Sequence, residues 1–274
     1  MSATLHPSAY RAPAWLPDGH SQTIYPALCL GGARPAYQRE RWATPDGGEI
    51  TVDRLPGRQG MPLLWLLHGL EGGSDSHYAR ALMRAAQARG WHGVVSHFRG
   101  CGGAVNTLPR AYHAGDSAEV AWLLARLASE GRPVCAVGVS LGGNMLLKHL
   151  GEAGASAPLC AAAAVSAPLD LAAAGRMLER GLARQLYTRM FLRTLKPASL
   201  ATARRHPGLI DVRRAQASRT LREFDDAVTA PLHGFAGVED YWARASAKPW
   251  LRQIARPTLV LNARNDPFLP ATAL

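Results

Sequence analysis

The sequence predicts an α/β fold, a mostly parallel sheet with helices on both faces. Three observations carry this. Short continuous apolar runs, such as Leu63–Leu67 (LLWLL) and Pro133–Val139 (PVCAVGV), read as strands buried on both faces. Stretches of helical periodicity separate these runs, so strand and helix alternate. The 274 residues can bury one large core, and no repeat period or Pro/Gly-rich linker divides them.

The elements follow in order. Arg39–Ala43 and Glu49–Leu55, joined across Pro45-Asp46-Gly47-Gly48, read as an antiparallel hairpin leading into the sheet. The LLWLL strand ends at His68-Gly69, and His77–Arg89 is a helix stopped by Gly90. Gly93–His97 is the next strand. Asp116–Glu130 is a helix with Ala121, Leu124, Leu127 and Ala128 on one face. Pro133–Val139 is a strand and Gly142–Glu152 a helix. Cys160–Ser166 (CAAAAVS) has low β-propensity and is a strand by context, and Pro257–Asn262 is the last strand visible.

Between Leu169 and Leu251 the alternation stops. The segment is helical and Arg-rich, with Met177, Leu178, Leu182, Leu186, Met190 and Phe191 as its apolar face and Arg176, Arg180 and Arg184 recurring every four residues. A plain crossover needs far fewer residues, so 169–251 is expected to be a helical cap insertion. The core is then 1–168 with 252–274.

Net charge is +11, and residues 176–222 hold 12 Lys/Arg against Glu179 and Asp211. No nucleic-acid-binding motif accompanies the charge, so no nucleic acid partner is expected. The Arg excess suits anionic headgroups, and a peripheral contact with anionic lipid is one expectation. Cysteines 29, 101, 135 and 160 form no CxxC pair and read as buried thiols, not disulfides or a zinc site. The first 20 residues hold no apolar h-region, and no run approaches 18 uncharged apolar residues. A cytoplasmic location is the default expectation.

The chemistry centres on Gly138-Val139-Ser140-Leu141-Gly142, after a strand and opening a helix. A nucleophile elbow needs that setting: a tight turn that exposes the serine Oγ at the carboxyl end of the sheet. The flanking glycines remove side chains that would collide with neighbouring backbone. The Leu141 N–H then lies at a helix N-terminus, where it can bind an oxyanion. His68-Gly69-Leu70-Glu71-Gly72-Gly73 follows the LLWLL strand and is expected to supply the second donor, the N–H of Leu70 before that of Glu71. Without GxGxxG or a following Lys-Ser/Thr, this loop is not read as a nucleotide site. His68 is expected to fix the loop. Asp266, in Asn262–Phe268 after the last strand, is the candidate acid that orients an imidazole.

The base is missing. No histidine follows Asp266, and the last in the chain is His233. The simplest account is that a further strand, its histidine-bearing loop and a C-terminal helix lie beyond Leu274. That would leave the edge of the strand at 257–262 uncovered.

At these residues the chain resembles the YheT-like branch of the α/β-hydrolases, related to the eukaryotic ABHD1/ABHD3 lipid hydrolases. The matching segments are Pro17–Thr23 (PDGHSQT), 68–80 (HGLEGGSDSHYAR), Arg99–Gly103 with Asn106, Pro109–Gly115, 138–148 (GVSLGGNMLLK) and 262–268 (NARNDPF). The resemblance implies an α/β-hydrolase fold and a Ser-Asp-His carboxylic ester hydrolase with no cofactor or metal. Ser140 is then the nucleophile and Asp266 the acid, and the histidine lies a few tens of residues beyond it. Arg99, Asn106, Tyr112 and His113 are expected to order loops. The expected substrate is a small ester, short-chain or lipid-like, held between the sheet's carboxyl edge and the cap. The competing expectations are an inactive fold that binds a ligand or partner, transfer of the acyl group to an alcohol or thiol, and haloperoxidase-like use of the same triad.

Overall fold

The computed structural model describes residues 4–274. Seven strands form one sheet in the order β1-β2-β4-β3-β5-β6-β7. They are β1 Gln38–Ala43, β2 Glu49–Leu55, β3 Leu63–Leu67, β4 His92–Ser96, β5 Val134–Val139, β6 Ala161–Val165 and β7 Thr258–Leu261. β1 and β2 pair antiparallel, as do β2 and β4, while β4-β3-β5-β6-β7 run parallel. All five residues of β3 are buried, as its unbroken apolar run requires. Even the alanine strand β6 is held in register between β5 and β7, so tertiary pairing overrides its propensity.

Four helices lie before the long insertion: α1 Gly19–Cys29, α2 His77–Ala88, α3 Ser117–Ala128 and α4 Leu141–Ala153. α1 has no counterpart among the expected elements. Its capping box joins Asp18 and Ser21, a Ser at N3 doing what Glu does in the usual pattern. α3 buries Val120, Leu123, Leu124 and Leu127, so its core face is rotated from the expected one and Ala121 and Ala128 sit at its margin. One side of the sheet packs Trp65, Leu67 and Val94 with Leu124, Leu127 and Leu146. The other packs Leu64, Leu66 and Val95 against Met83 and Ala86 of α2.

Between β6 and β7 the chain is helical throughout: α5 Leu171–Leu178, α6 Gly181–Ala183, α7 Arg189–Arg205, α8 Val212–Ala217, α9 Leu221–Phe224, α10 Ala230–Leu232 and α11 Val238–Ala245. A wide turn, Arg184–Thr188, joins α6 to α7 with i→i+5 bonding. The expected single apolar face does not hold. Leu178 is buried, but Leu182, Leu186 and Met190 are exposed. The cause is local: α5 stops at Leu178, and the chain restarts through Gly181, whose φ is +52°. The wide turn shifts the phase again, and Tyr187, Thr188 and Leu192 face inward instead.

The cysteine expectation also needs correction. All four are free, but Cys29 and Cys160 are exposed. Cys160 stands just before the amino end of β6, outside the covered part of the strand. No helix of the described residues is long and apolar enough to cross a membrane.

β7 forms one edge of the sheet, with Leu259, Val260 and Leu261 exposed. An apolar edge strand templates pairing with a second molecule. Leu259→Lys should therefore lower self-association of this chain, read by light scattering across a concentration series. A wild type that stays monomeric throughout would contradict this.

Candidate active site

Ser140 occupies the turn between β5 and α4 at φ +52°, ψ −121°, a conformation that L side chains rarely adopt. Its N–H donates to Val165 O at 2.8 Å, which pins the turn to the end of β6. The glycines are sterically required. A Cβ on Gly138 would lie 2.5 Å from Gly142 O, and one on Gly142 would lie 2.5 Å from both Leu67 O and His68 O. The elbow thus lies directly against the carboxyl end of β3.

The loop after β3 is fixed from several sides. His68 is fully buried; its Nδ1 donates to Gly69 O at 2.7 Å and its Nε2 accepts from the Phe98 N–H at 3.2 Å. Burial pushes its imidazole down to about 3, so it is neutral. The Gly69 N–H donates to Tyr78 Oη at 2.9 Å. Glu71 sits at φ +56°, its carboxylate accepting from Tyr112 Oη at 2.5 Å and its N–H donating back to that oxygen at 3.4 Å. Glu71 N–H is thus engaged, whereas Leu70 borders the cavity beside Ser140. Leu141 opens α4, so its N–H has no partner within the helix.

Ser140, Leu70 and Leu141 all line one largely apolar cavity of about 540 Å³. The strand-end loops form its floor, and Phe191, Leu195, Phe224, Val228 and Trp242 of the insertion cover it. Asn144, fully buried on α4, fastens the two parts together. Its Nδ2 donates to Ala114 O and Ala245 O, and its Oδ1 accepts from the Ala247 N–H, all within 2.9 Å. Beneath the loop at 99–115, the Arg99 guanidinium donates to Glu119 and Asp46, and Arg110 to Asp46 and Asp116. Asn106 donates to Arg110 O. These side chains do order the loop.

Asp266 lies beyond β7. The Ser166 N–H donates to Leu261 O just as the Ser140 N–H does to Val165 O, so Ser140, Ser166 and Asn262 end three adjacent strands at one level. Two strand spacings of about 4.8 Å separate the first from the last. Asp266 itself is not among the residues that line the cavity, although its neighbours Phe268 and Leu269 are. Burial raises the Asp266 carboxyl above the ordinary value, while its Oδ1 accepts from the Phe268 N–H at 2.8 Å. α1 buttresses this loop from outside. A Cβ on Gly19 would stand 1.9 Å from Asn265 O, and Asn265 Nδ2 donates to Gln22 Oε1 at 3.2 Å. The Asp18–Ser21 capping signal marks α1, but only the fold shows what it supports. Asn144 and Ser166, the latter also at positive φ (+51°), were likewise invisible as site residues in the sequence.

Two histidines border the cavity, His113 and His233. His113 Nδ1 accepts from the Gly115 N–H at 3.2 Å, which puts its proton on Nε2, and burial pushes it down to about 3. Both nitrogens of His233 face carbonyls, Thr229 O at 2.8 Å and Ala111 O at 2.9 Å. The unprotonated nitrogen of His113 is already engaged and both His233 nitrogens are turned to backbone carbonyls, so neither ring has a nitrogen without a backbone partner to take a proton from Ser140. Among the described residues, no group of three or more His, Cys, Asp or Glu is placed to hold a metal ion.

The α/β hydrolase fold model matches residues 62–274. "Putative esterase YheT" of Escherichia coli is 41% identical over 257 residues, 91% of this chain and 75% of its own length. Mouse phospholipase ABHD3 is 30% identical over 97% of this chain and 67% of its own. The Pyrococcus furiosus esterase Pf2001 superposes with a TM-score of 0.53 at 16% identity, covering 86% of this chain and 72% of that one, a likeness of fold.

The two depressed imidazoles set a pH dependence of stability. A histidine in the unfolded chain titrates near 6.5, whereas His68 and His113 titrate near 3 when folded. Between those values the unfolded state binds the extra protons, so stability is full above about 6.5 and falls as pH drops toward 3. His68→Asn should flatten the slope of unfolding free energy between about pH 4 and 6 by about 1.4 kcal/mol per pH unit. Urea titrations across that range would show it, and an unchanged slope would contradict it.

Proposed function

The chain belongs to the α/β-hydrolase family, in the branch of YheT, and from that premise we propose that it cleaves carboxylic esters through an acyl-enzyme on Ser140. One observation carries the reading: Ser140 is held at φ +52° at the mouth of α4, facing an apolar cavity of about 540 Å³. Backbone strain of this kind persists where the surroundings enforce it, and here it places a hydroxyl on a large apolar cavity beside two candidate oxyanion donors.

In the proposed reaction Ser140 Oγ attacks the ester carbonyl carbon and its proton passes to an imidazole. The N–H groups of Leu141 and Leu70 hold the tetrahedral oxyanion. Collapse expels the alcohol, which takes the imidazole's proton. Water then attacks the acyl-serine, losing a proton to the same imidazole, and the carboxylic acid leaves as Ser140 regains its hydrogen. Asp266 orients the ring. In this reading the ring belongs to a histidine outside residues 1–274, since the accepting nitrogen of His113 and both nitrogens of His233 are turned to backbone partners. The chain spans 75% of the length of YheT. The helices at 169–251 act as the cap, and the cavity takes small esters with short or lipid-like acyl chains. No cofactor enters any step.

The engagement of both cavity histidines with backbone groups favours a second reading for these 274 residues alone, a fold that binds an ester-like ligand without turning it over. Fluorophosphonate labelling separates the two. A version of the protein as long as its relatives should label at Ser140, with labelling lost in Ser140→Ala and ester hydrolysis reduced on the order of 10⁴-fold or more. The 274-residue chain should label weakly or not at all. Labelling of the longer form that survives Ser140→Ala would sink the enzyme reading.

A further inference from the structure

The outer side of the helical insertion carries features that ester cleavage does not use. Leu182, Leu186 and Met190 are 58%, 43% and 54% exposed, one after another along the run from α6 through the wide turn into α7. Arg184, Arg189 and Arg193 are exposed on the same run of chain. These three, with Lys196 and Arg219, border a groove of about 570 Å³ whose sole carboxylate is Glu179.

Arg39, Arg54, Arg99 and Arg110 all pair with carboxylates. Among the described residues, none of Arg176, Arg180, Arg184, Arg189, Arg193, Lys196 and Arg219 takes part in an ion pair. Arginines elsewhere, Arg11, Arg89 and Arg252 among them, also lack an ion pair, so what sets this region apart is that five cations border one groove. An exposed apolar run flanked by free cations is the pattern of a helix that lies in a lipid–water interface. The alternatives match less of it. Nucleic acid would satisfy the cations and leave the apolar run facing water, and a second copy docked face to face would oppose like charges.

The inner side of the same helices adds a reason for the location. Phe191, Leu195, Ala198 and Thr202 line the cavity that contains Ser140. A surface held by the outer face would lie one helix diameter from that cavity.

We propose that Leu182, Leu186 and Met190 dock this face on an anionic lipid bilayer, with Arg184, Arg189 and Arg193 on the headgroup phosphates. The proposal goes beyond the hydrolase reading and stands or falls without it, because docking is measured without turnover.

The test is co-sedimentation of the 274-residue chain with vesicles of phosphatidylcholine alone or mixed with phosphatidylglycerol. The chain should partition onto the mixed vesicles and be released by salt. Arg184→Gln, Arg189→Gln and Arg193→Gln together should weaken partitioning on the order of 100-fold, about fivefold per cation. Leu182→Ser, Leu186→Ser and Met190→Ser together should abolish it. Since these six side chains are exposed, both variants should keep the wild-type melting temperature. Replacing Arg11, Arg89 and Arg252 with Gln removes the same net charge elsewhere and should leave partitioning unchanged. Failure to bind mixed vesicles, or equal weakening by the Arg11/Arg89/Arg252 set, would overturn the proposal. So would a dimer in solution that the serine variants dissolve, or tighter binding to a duplex oligonucleotide than to the vesicles.

Discussion

The left-handed turn at Ser140 is the constraint on which the rest of the site depends. A residue with a side chain is held at φ +52° because β5 and α4 approach too closely for any gentler connection. That approach requires Gly138 and Gly142 to lack a Cβ, and it wedges α4 against the end of β3. The same wedge brings the loop after β3 beside the serine. The placement of Ser140 beside the backbone of Leu70 and Leu141 is therefore a consequence of one packing arrangement.

The remaining parts hang on strand ends at one level. Hydrogen bonds carry the register from Ser140 to Val165 and from Ser166 to Leu261, which sets the start of the Asp266 loop relative to Ser140. α1 then closes on that loop through the bare backbone at Gly19, and Tyr187 of the insertion stacks on His20 of α1 and packs at a tilt against Phe268 of the loop. The buried amide of Asn144 ties the elbow helix to the far end of the insertion. A large apolar cavity beside a serine thus rests on a few polar clamps, each satisfied by backbone partners.

Much of this was legible in the residues. Unbroken apolar runs located β3, β5 and β7 to within a residue, in β3 because burial on both faces leaves little freedom of composition, whereas β7 kept its apolar run although its residues are exposed at the sheet edge. The GxSxG spacing gave the elbow, because its glycines answer to close contacts between neighbouring segments. The insertion was legible only as helical. Its facing depended on Gly181 and on one wide turn, and these reset the phase so that Leu182, Leu186 and Met190 turn outward. α1 went unread because its capping box uses Ser where Glu is usual. Cys160 read as buried from its alanine neighbours, yet it precedes the covered part of β6. No periodicity reveals that Asn144 bridges three segments, since those contacts join residues 101 and 103 positions apart.

The central claim is geometric: the turn at Ser140 presents its hydroxyl and two backbone donors to one reacting carbonyl. A crystal structure of the relative-length protein inactivated by an alkyl phosphonate tests it most directly. The account predicts a phosphorus–oxygen bond to Ser140 Oγ, the alkyl chain in the cavity under Phe191 and Trp242, and the phosphoryl oxygen about 2.7–3.1 Å from the N–H groups of Leu70 and Leu141. An adduct on another residue, or a phosphoryl oxygen turned away from both amides, would contradict it.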